Sequence, residues 1–386
     1  MKTAVHFGAG KIGRGFIGDL LHQSGYRIVF ADVNEVLNKE MNTYHNYFLY
    51  IIEEDHRKVE IDHVSALSPI TEKEQLIQEI FRADLITTAV IVDNFAKIAG
   101  VLAEGLKARL DAGKPRIDVI PCENAPYCGD MLVKELAATG ILTAEEIAQA
   151  AAVPNTVVDR MVFGYTCDGR EGIEIGKDFE LAIELTRLTD TGSEPIKGAE
   201  YTDNIEKYLE RKLFVINGGH CSAGYLAHLK GFTIIQDYFR TEEGLETSRR
   251  SMAQAAALIE KKHGFNHDKM MAYVDFALNR WCTPGVADEI TRISRAPIRK
   301  LKPAERMVAP AVQCAEAGLP NELLIKAIGA AFLFDVDTDD QAAELLNYVE
   351  ANGIDEAVEH YTGLKKGTEL HAQVVAAYRE LKNTDQ

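Results

Sequence analysis

The stretch TAVHFGAGKIGRGFIGDLLHQSGYRIVFAD, residues 3–32, decides how the rest of the chain is read. Residues 3–7 form a short β-prone run that feeds straight into Gly8, Gly10 and Gly13 in GxGxxG register. A helix is predicted over 12–24, ended by Gly25. A second strand follows over 27–31, with Asp32 at its carboxyl end, about 20 residues past the glycines. Glycines in this spacing are weak evidence alone. Set between a strand and a helix, and followed by an acid at that distance, they form the pattern of a dinucleotide-binding βαβ unit.

Each part of the pattern has a physical job. Gly8 allows the tight turn, Gly10 lets the backbone approach a pyrophosphate, and Gly13 lets helix and strand pack closely. Phe7, Gly8, Ala9, Gly10, Lys11, Ile12 and Gly13 are therefore the candidate cofactor contacts, at a helix N-terminus that favours an anion. Asp32 is suited to accept hydrogen bonds from the adenosine ribose, and its charge repels a 2′-phosphate, which favours NAD over NADP.

Further strands are predicted over 85–92 and 117–121, each after a helical pattern, which is βαβ alternation and a parallel sheet. Cys122-Glu123-Asn124 follows the second of these at its carboxyl end, where open α/β sheets bind ligands. Asn124 is thus a candidate substrate contact; a local turn is its other reading. Thr143 with Glu146 reads as a capping box. The segment VPNTVVDRMV supplies Asp159 and Arg160, and the alternation that continues to residue 184 predicts more strand, added at one sheet edge. The Rossmann-type domain is placed at 1–202.

At 386 residues the chain has length for two domains. Its formal net charge of −17 argues against nucleic acid or an anionic membrane as partner, and no apolar run approaches a membrane span. The start lacks the apolar core of a signal peptide, and the six cysteines show neither a disulfide framework nor metal-ligand spacing, so a reducing cytoplasm and no metal are expected.

From residue 203 helical signals dominate, over 242–262, 268–279, 304–317, 321–334, 340–351 and 367–381. A mainly α-helical second domain, 203–386, is expected to follow the α/β one. Asp203 and Glu206 read as a capping box, so a helix should begin at 204. On an α-helix, at about 100° per residue, Ile205, Tyr208, Leu209, Leu213, Ile216 and Ala223 form one apolar stripe. Lys212 lies inside it, His220 joins it if the helix survives Gly218 and Gly219, and Asn217 falls at its edge. Burial disfavours an ammonium, and a lysine general base needs its neutral form. The other reading is a lysine whose head reaches solvent.

One basic cluster stands out in this acidic chain: TRISRAPIRKLKPAER, residues 291–306, with Arg292, Arg295, Arg299, Lys300, Lys302 and Arg306. Such groups suit a phosphate. A solvated basic face is the alternative.

Taken together, FGAGKIGRGFIG, FADVN, TTAV at 87–90, CEN at 122–124, VVDR at 157–160, TDN at 202–204, ERKLFVINGGH at 210–220 and RAPIRKL at 295–301 resemble the polyol-specific long-chain dehydrogenases of the mannitol dehydrogenase family, over nearly the whole length. The spacing KxxxxNxxH from Lys212 to His220 is that family's catalytic signature. The resemblance implies metal-independent, NAD-linked interconversion of D-mannitol 1-phosphate and D-fructose 6-phosphate by a monomer. It also implies Lys212 as general acid/base, Asn124 and Asn217 on the reacting oxygen, His220 as substrate orienter, and Asp159 as a substrate contact. Arg295, Arg299 and Lys300 are the residues selected for the phosphate. Phe163-Gly164-Tyr165 departs from the family, which often has proline soon after VDR. A sugar-acid oxidoreductase acting on altronate or fructuronate would use the same arginines. A non-catalytic NAD(H) sensor that binds DNA would carry a basic recognition helix, and none is legible.

Overall fold

The computed structural model describes residues 1–167, 170–283 and 287–384. The chain divides into two compact units, Met1–Tyr208 and Leu209–Gln386. In chain order the strands are β1 (Lys2–Phe7), β2 (Tyr26–Ala31), β3 (Asn46–Ile51), β4 (Arg57–Asp62), β5 (Val64–Leu67), β6 (Leu85–Thr88), β7 (Ile117–Pro121), β8 (Ala151–Ala152), β9 (Thr156–Cys167), β10 (Arg170–Glu184) and β11 (Glu200–Thr202).

Six of them make one parallel sheet in the order β5-β2-β1-β6-β7-β8. β1 runs beside β2 from Lys2↔Tyr26 to Phe7↔Ala31, and beside β6 from Ala4↔Leu85 to Phe7↔Thr88. The strand order therefore reverses at β1, which opens a crevice at the carboxyl ends of β1 and β6. Both faces are covered: Phe16, Ile17, Leu20 and Phe30 lie in one apolar cluster, Val5, Phe7, Leu76, Phe95 and Leu102 in another. Burial on both faces is why these strands read as continuous apolar runs.

The remaining strands build a second sheet, β11-β10-β3-β4, with β9 paired to β10 as an antiparallel hairpin whose register shifts between Ile175 and Phe179. This corrects the expectation that the strands beyond 156 extend an edge of the first sheet. Instead β10 pairs with β3 from Ile173↔Leu49 to Ile175↔Ile51, and β3 pairs in turn with β4 from Asn46↔Asp62 to Ile51↔Arg57. The predicted 85–92 strand also stops early, at Thr88. Backbone donors of Val90 and Ile91 are drawn to Glu123 rather than to a neighbouring strand.

The second unit is helical. Its longest helices are Glu242–His263, His267–Trp281, Asp340–Asn352 and Glu369–Thr384, around a core that holds Phe214, Tyr225, Tyr238, Ile259, Phe332 and Phe334. Thr241, Asn266 and Asp339 each cap a helix start through a side-chain oxygen. The helix predicted from 304 begins at Val308, because the chain before it turns, with the Glu305 N–H on the Lys302 carbonyl. Among the described residues no helix is long and apolar enough to cross a membrane.

Candidate active site

In the first unit the glycine turn closes the carboxyl end of β1. Gly8 has φ +97°, and a Cβ there would lie 2.4 Å from the Ala89 carbonyl oxygen. A Cβ on Gly13 would come within 1.9 Å of the Gly8 oxygen, so helix and turn are in direct contact. Gly10 is different: a Cβ on it would meet nothing within 4 Å. No protein neighbour explains that glycine, and Gly10, Lys11 and Ile12 are exposed, which fits a backbone surface kept bare for a ligand. Phe7 and Ala9 are buried beneath it.

Asp32 organises this turn. One carboxylate oxygen accepts from the Ala9 N–H at 2.6 Å and the other from the Asn34 N–H at 2.8 Å. A carboxylate has lone pairs to spare after two such bonds, so acceptance from a ribose hydroxyl remains open to it. Arg14, one residue past the third glycine, donates to the Ala9 carbonyl at 2.7 Å and to Glu171 at 2.6 Å. Below the turn, buried His6 bonds Thr87 Oγ1 through Nδ1 at 2.6 Å, and burial holds its pKa down at about 3, so it is neutral.

At the neighbouring carboxyl ends, Glu123 was quoted in the sequence only as part of a motif, yet it is the hub. Its buried carboxylate accepts from Thr88 Oγ1 at 2.8 Å, from the Val90 N–H at 2.9 Å and from the Ile91 N–H at 2.9 Å. It thereby fixes the turn after β6 to the turn after β7, where Asn124 follows in an exposed position. Ile91 is held at φ 69°, ψ 131°, and is 67 % exposed. Asp159 is half-buried on β9, opposite Glu180. Gly164 leaves room for the Lys11 side chain, whose Nζ would lie 3.2 Å from a Cβ there.

In the second unit Lys212 is buried, 8 % exposed, as the stripe requires. The helix around it is not the one expected. Glu206–Arg211 is α-helical, Lys212–Asn217 is a π turn, and Gly218–Leu229 resumes the α-helix through both glycines. The Gly218 N–H reaches the Leu213 carbonyl, five residues back. In an α-helix, residues five apart point roughly 140° away from each other; a π turn lines them up. Lys212 and Asn217 therefore share a face, a correction to the α-helical projection, and π turns recur at functional sites.

The start of this helix also differs from expectation. It begins at Glu206 rather than at 204, and the Glu206 carboxylate accepts from the Tyr127 hydroxyl. The register just before Lys212 is pinned from both sides. Glu210 accepts from Lys262 and His263, each at 2.6 Å, and the Arg211 guanidinium lies over Phe265 and Tyr273, at 4.9 and 4.3 Å from the ring centres. Gly218 lets the helix approach another backbone, since a Cβ there would lie 2.7 Å from the Arg306 carbonyl oxygen.

His220 stacks flat on Trp281, and its Nε2 is 3.9 Å from Asp288 Oδ2, beyond hydrogen-bond reach. Burial holds its pKa down at about 4 against the pull of Asp288, so the ring is neutral near pH 7. Of the basic cluster, Arg295 and Arg299 are exposed, while Lys300 is 3 % exposed and donates to the Ile293 carbonyl. Burial lowers its pKa to about 8. Arg292 is exposed and forks onto Asp288. Among the described residues no group of three or more His, Cys, Asp or Glu side chains is placed to hold a metal ion.

Comparison with known proteins bears on the fold and the family. A D-sorbitol dehydrogenase structure superposes with a TM-score of 0.84 at 14 % identity, covering 100 % of this chain and 94 % of that one. Pseudomonas fluorescens mannitol 2-dehydrogenase, in a ternary complex with NAD and D-mannitol, superposes with a TM-score of 0.71 at 17 % identity, covering 100 % and 92 %. At those identities the likeness is one of fold. In sequence the chain is 38 % identical to a mannitol-1-phosphate 5-dehydrogenase of Arthrobacter sp. (strain FB24), over 98 % of each protein. It is 34 % identical to another from Caldanaerobacter subterraneus subsp. tengcongensis, over 99 % of each. Residues 2–191 match the mannitol dehydrogenase Rossmann domain and residues 204–382 the mannitol dehydrogenase C-terminal domain, and with these two matches the chain belongs to the mannitol dehydrogenase family.

Proposed function

We propose that the protein is an NAD-dependent dehydrogenase that interconverts D-mannitol 1-phosphate and D-fructose 6-phosphate, without a metal and as a monomer. The observation that carries this reading is the buried Lys212 with Asn217 one π turn beyond it. Lysine is among the residues least often buried, so one set in the core within the KxxxxNxxH spacing is a candidate for chemistry. The glycine turn supports the cofactor half, through the bare backbone at Gly10 and the Asp32 carboxylate beside it.

Held at the glycine turn, NAD would supply the acceptor for the hydride on C5 of mannitol 1-phosphate, and its reduced form the donor to C2 of fructose 6-phosphate. The residues do the rest. The Lys212 amine accepts the proton of the C5 hydroxyl, and its ammonium gives that proton back when the ketone is reduced. Oxygen at C5 passes through alkoxide character, which the side-chain amides of Asn124 and Asn217 stabilise by donating to it. His220, neutral and outside the proton transfer, orients a neighbouring hydroxyl, and Asp159 accepts from another. Arg295 and Arg299 meet the phosphate. Lys300 adds positive charge from beneath while its hydrogen bond to Ile293 holds the segment in shape.

An NAD reduction assay with mannitol 1-phosphate, mannitol and altronate, each with and without a chelator, tests the whole reading. Strong preference for mannitol 1-phosphate, unchanged by the chelator, is expected. Preference for altronate would move the reaction to sugar acids, and loss of activity with the chelator would end the metal-independent mechanism.

A further inference from the structure

The chain has a single tryptophan, Trp281. It ends the helix His267–Trp281 and is 7 % exposed. Its indole lies against the His220 imidazole with ring centres 4.4 Å apart and planes 12° from parallel. Behind it Phe239 continues the stack, at 5.8 Å and 13°. Three rings are thus piled nearly parallel, and the outermost belongs to the KxxxxNxxH signature.

What else orients that imidazole is little. Buried Nε2 has no hydrogen-bond partner, and the Asp288 carboxylate 3.9 Å away is turned onto Arg292 by two hydrogen bonds. Asp288 is itself held in place, since its backbone N–H donates to Gln236 at 2.9 Å. An imidazole without a hydrogen bond at that nitrogen has no polar contact there to set its ring plane. A flat partner confines it to one plane.

We infer that Trp281 is the positioning residue of His220, fixing the ring plane by stacking where such histidines are ordinarily fixed by a hydrogen bond, and that the pair makes its own optical reporter. This rests on reading His220 as the substrate orienter. Indole emission is sensitive to the polarity and packing of a ring stacked on it, and responds when that ring moves. With one tryptophan in the chain the signal has one source.

The test uses the full chain as wild type, Trp281→Phe, Trp281→Leu, His220→Gln and the double variant Trp281→Leu with His220→Gln. Steady-state kinetics with mannitol 1-phosphate, NAD affinity and tryptophan emission are measured. Trp281→Phe keeps a stacking ring and should hold kcat/KM within about three-fold, whereas Trp281→Leu should lower it about ten-fold with NAD affinity unchanged. The double variant should be no worse than His220→Gln alone, because both changes disable one unit. His220→Gln should change the intensity or wavelength of the emission, and mannitol 1-phosphate added without cofactor should shift it in the wild type. Independent, multiplying losses from the two substitutions would overturn the inference, as would emission indifferent to His220→Gln. If Trp281→Leu does not fold, the emission comparison and Trp281→Phe still decide. Wild-type kcat/KM in His220→Gln would instead sink the orienter reading and the positioning role with it, while a changed emission in that variant would leave the stack itself standing.

Discussion

Ile91 and Glu123 make a matched pair of perturbations. Ile91 sits at φ 69°, ψ 131°, a backbone region that a β-branched residue rarely enters. Strain of this kind costs about 1–3 kcal/mol. Ile91 is 67 % exposed, so its side chain returns little through burial. Glycine at this position removes the strain and gives back roughly 0.4–1 kcal/mol through its looser unfolded chain, so Ile91→Gly should stabilise the protein by about 1 kcal/mol. Glu123 holds the strained turn. Its Oε1 serves Thr88 and Val90, and its Oε2 serves Ile91. In Glu123→Gln one of these positions becomes an NH2 that cannot accept, leaving a buried N–H unpaired, at a cost of about 2 kcal/mol. The turn it releases abuts the glycine loop, where the Ala89 N–H bonds the Phe7 carbonyl at 2.8 Å. If NAD needs the held turn, its Kd in Glu123→Gln rises by up to about 30-fold, since each 1.4 kcal/mol is a decade. Urea unfolding measures the stabilities and calorimetric titration the NAD affinity. In the Glu123→Gln background the gain from Ile91→Gly should shrink, because an unclamped turn has already relaxed. Destabilisation by Ile91→Gly, or a Glu123→Gln variant with wild-type midpoint and Kd, would refute the reasoning.

Lys212→Ala should keep NAD affinity and lose turnover by orders of magnitude; near-normal turnover removes Lys212 as the general acid/base. Neutralising Arg295 and Arg299 should raise KM for mannitol 1-phosphate and leave mannitol untouched, whereas an equal loss on both substrates points to a folding defect. Lys300→Met should stabilise the protein by about 2 kcal/mol at pH 7, since the ammonium it removes is disfavoured by about 3 kcal/mol and its bond to the Ile293 carbonyl returns about 1. With a folded pKa of about 8 against 10.5, that penalty is complete below pH 8 and vanishes as pH rises to 10.5, so an advantage that persists there would contradict the assignment. His6 and His220 have pKa values lowered from 6.5 to about 3 and about 4; the stability they contribute is complete above pH 6.5 and is lost as pH falls, roughly 3 kcal/mol each by pH 4. Around His220 the facing charges are Asp288, Arg292, Arg280 and Lys300, and in His220→Gln the urea midpoint should fall less steeply between pH 6.5 and 4 than in the wild type.

Where the sequence misled, a distant partner outbid a local preference. LITTAVIV has strand propensity to its end, but Glu123, 32 residues after Ile91, takes the backbone donors that would have continued the ladder. Asp203 and Glu206 have capping-box spacing, yet Tyr127, 79 residues earlier, takes the Glu206 carboxylate. Thr143 and Glu146 meet no such competitor, and there both bonds of the box form. β4 was invisible for a different reason: it is an edge strand, and RKVEID buries only Ile61, so its charges masked the alternation. The glycine loop was legible because its geometry is enforced by residues within its own βαβ unit, from Gly8 to Asp32.

The two π turns were illegible in kind. Lys212–Asn217 uses residues that suit an α-helix equally well, the three glycines of Gly13–Gly18 do not single out a π turn, and the extra residue in each turn is stabilised by what surrounds it. Around the first turn, the Arg14 carbonyl accepts from the Tyr47 hydroxyl at 2.8 Å and the Gly15 carbonyl from Arg160 at 3.2 Å. Arg160 is in turn held by buried Asp19 at 2.6 Å. Tyr47 and Arg160 come from the second sheet, which gives β3 and β9 a function: they supply the donors that a widened turn leaves its carbonyls needing. Around the second turn the supports are Glu210 and Arg211 before it and the close backbone contact at Gly218 after it. Anchored at both ends, six residues are wound so that the first and the last face the same way. The motif KxxxxN spells out that spacing, but only the wider turn brings its lysine and asparagine to one side of the helix.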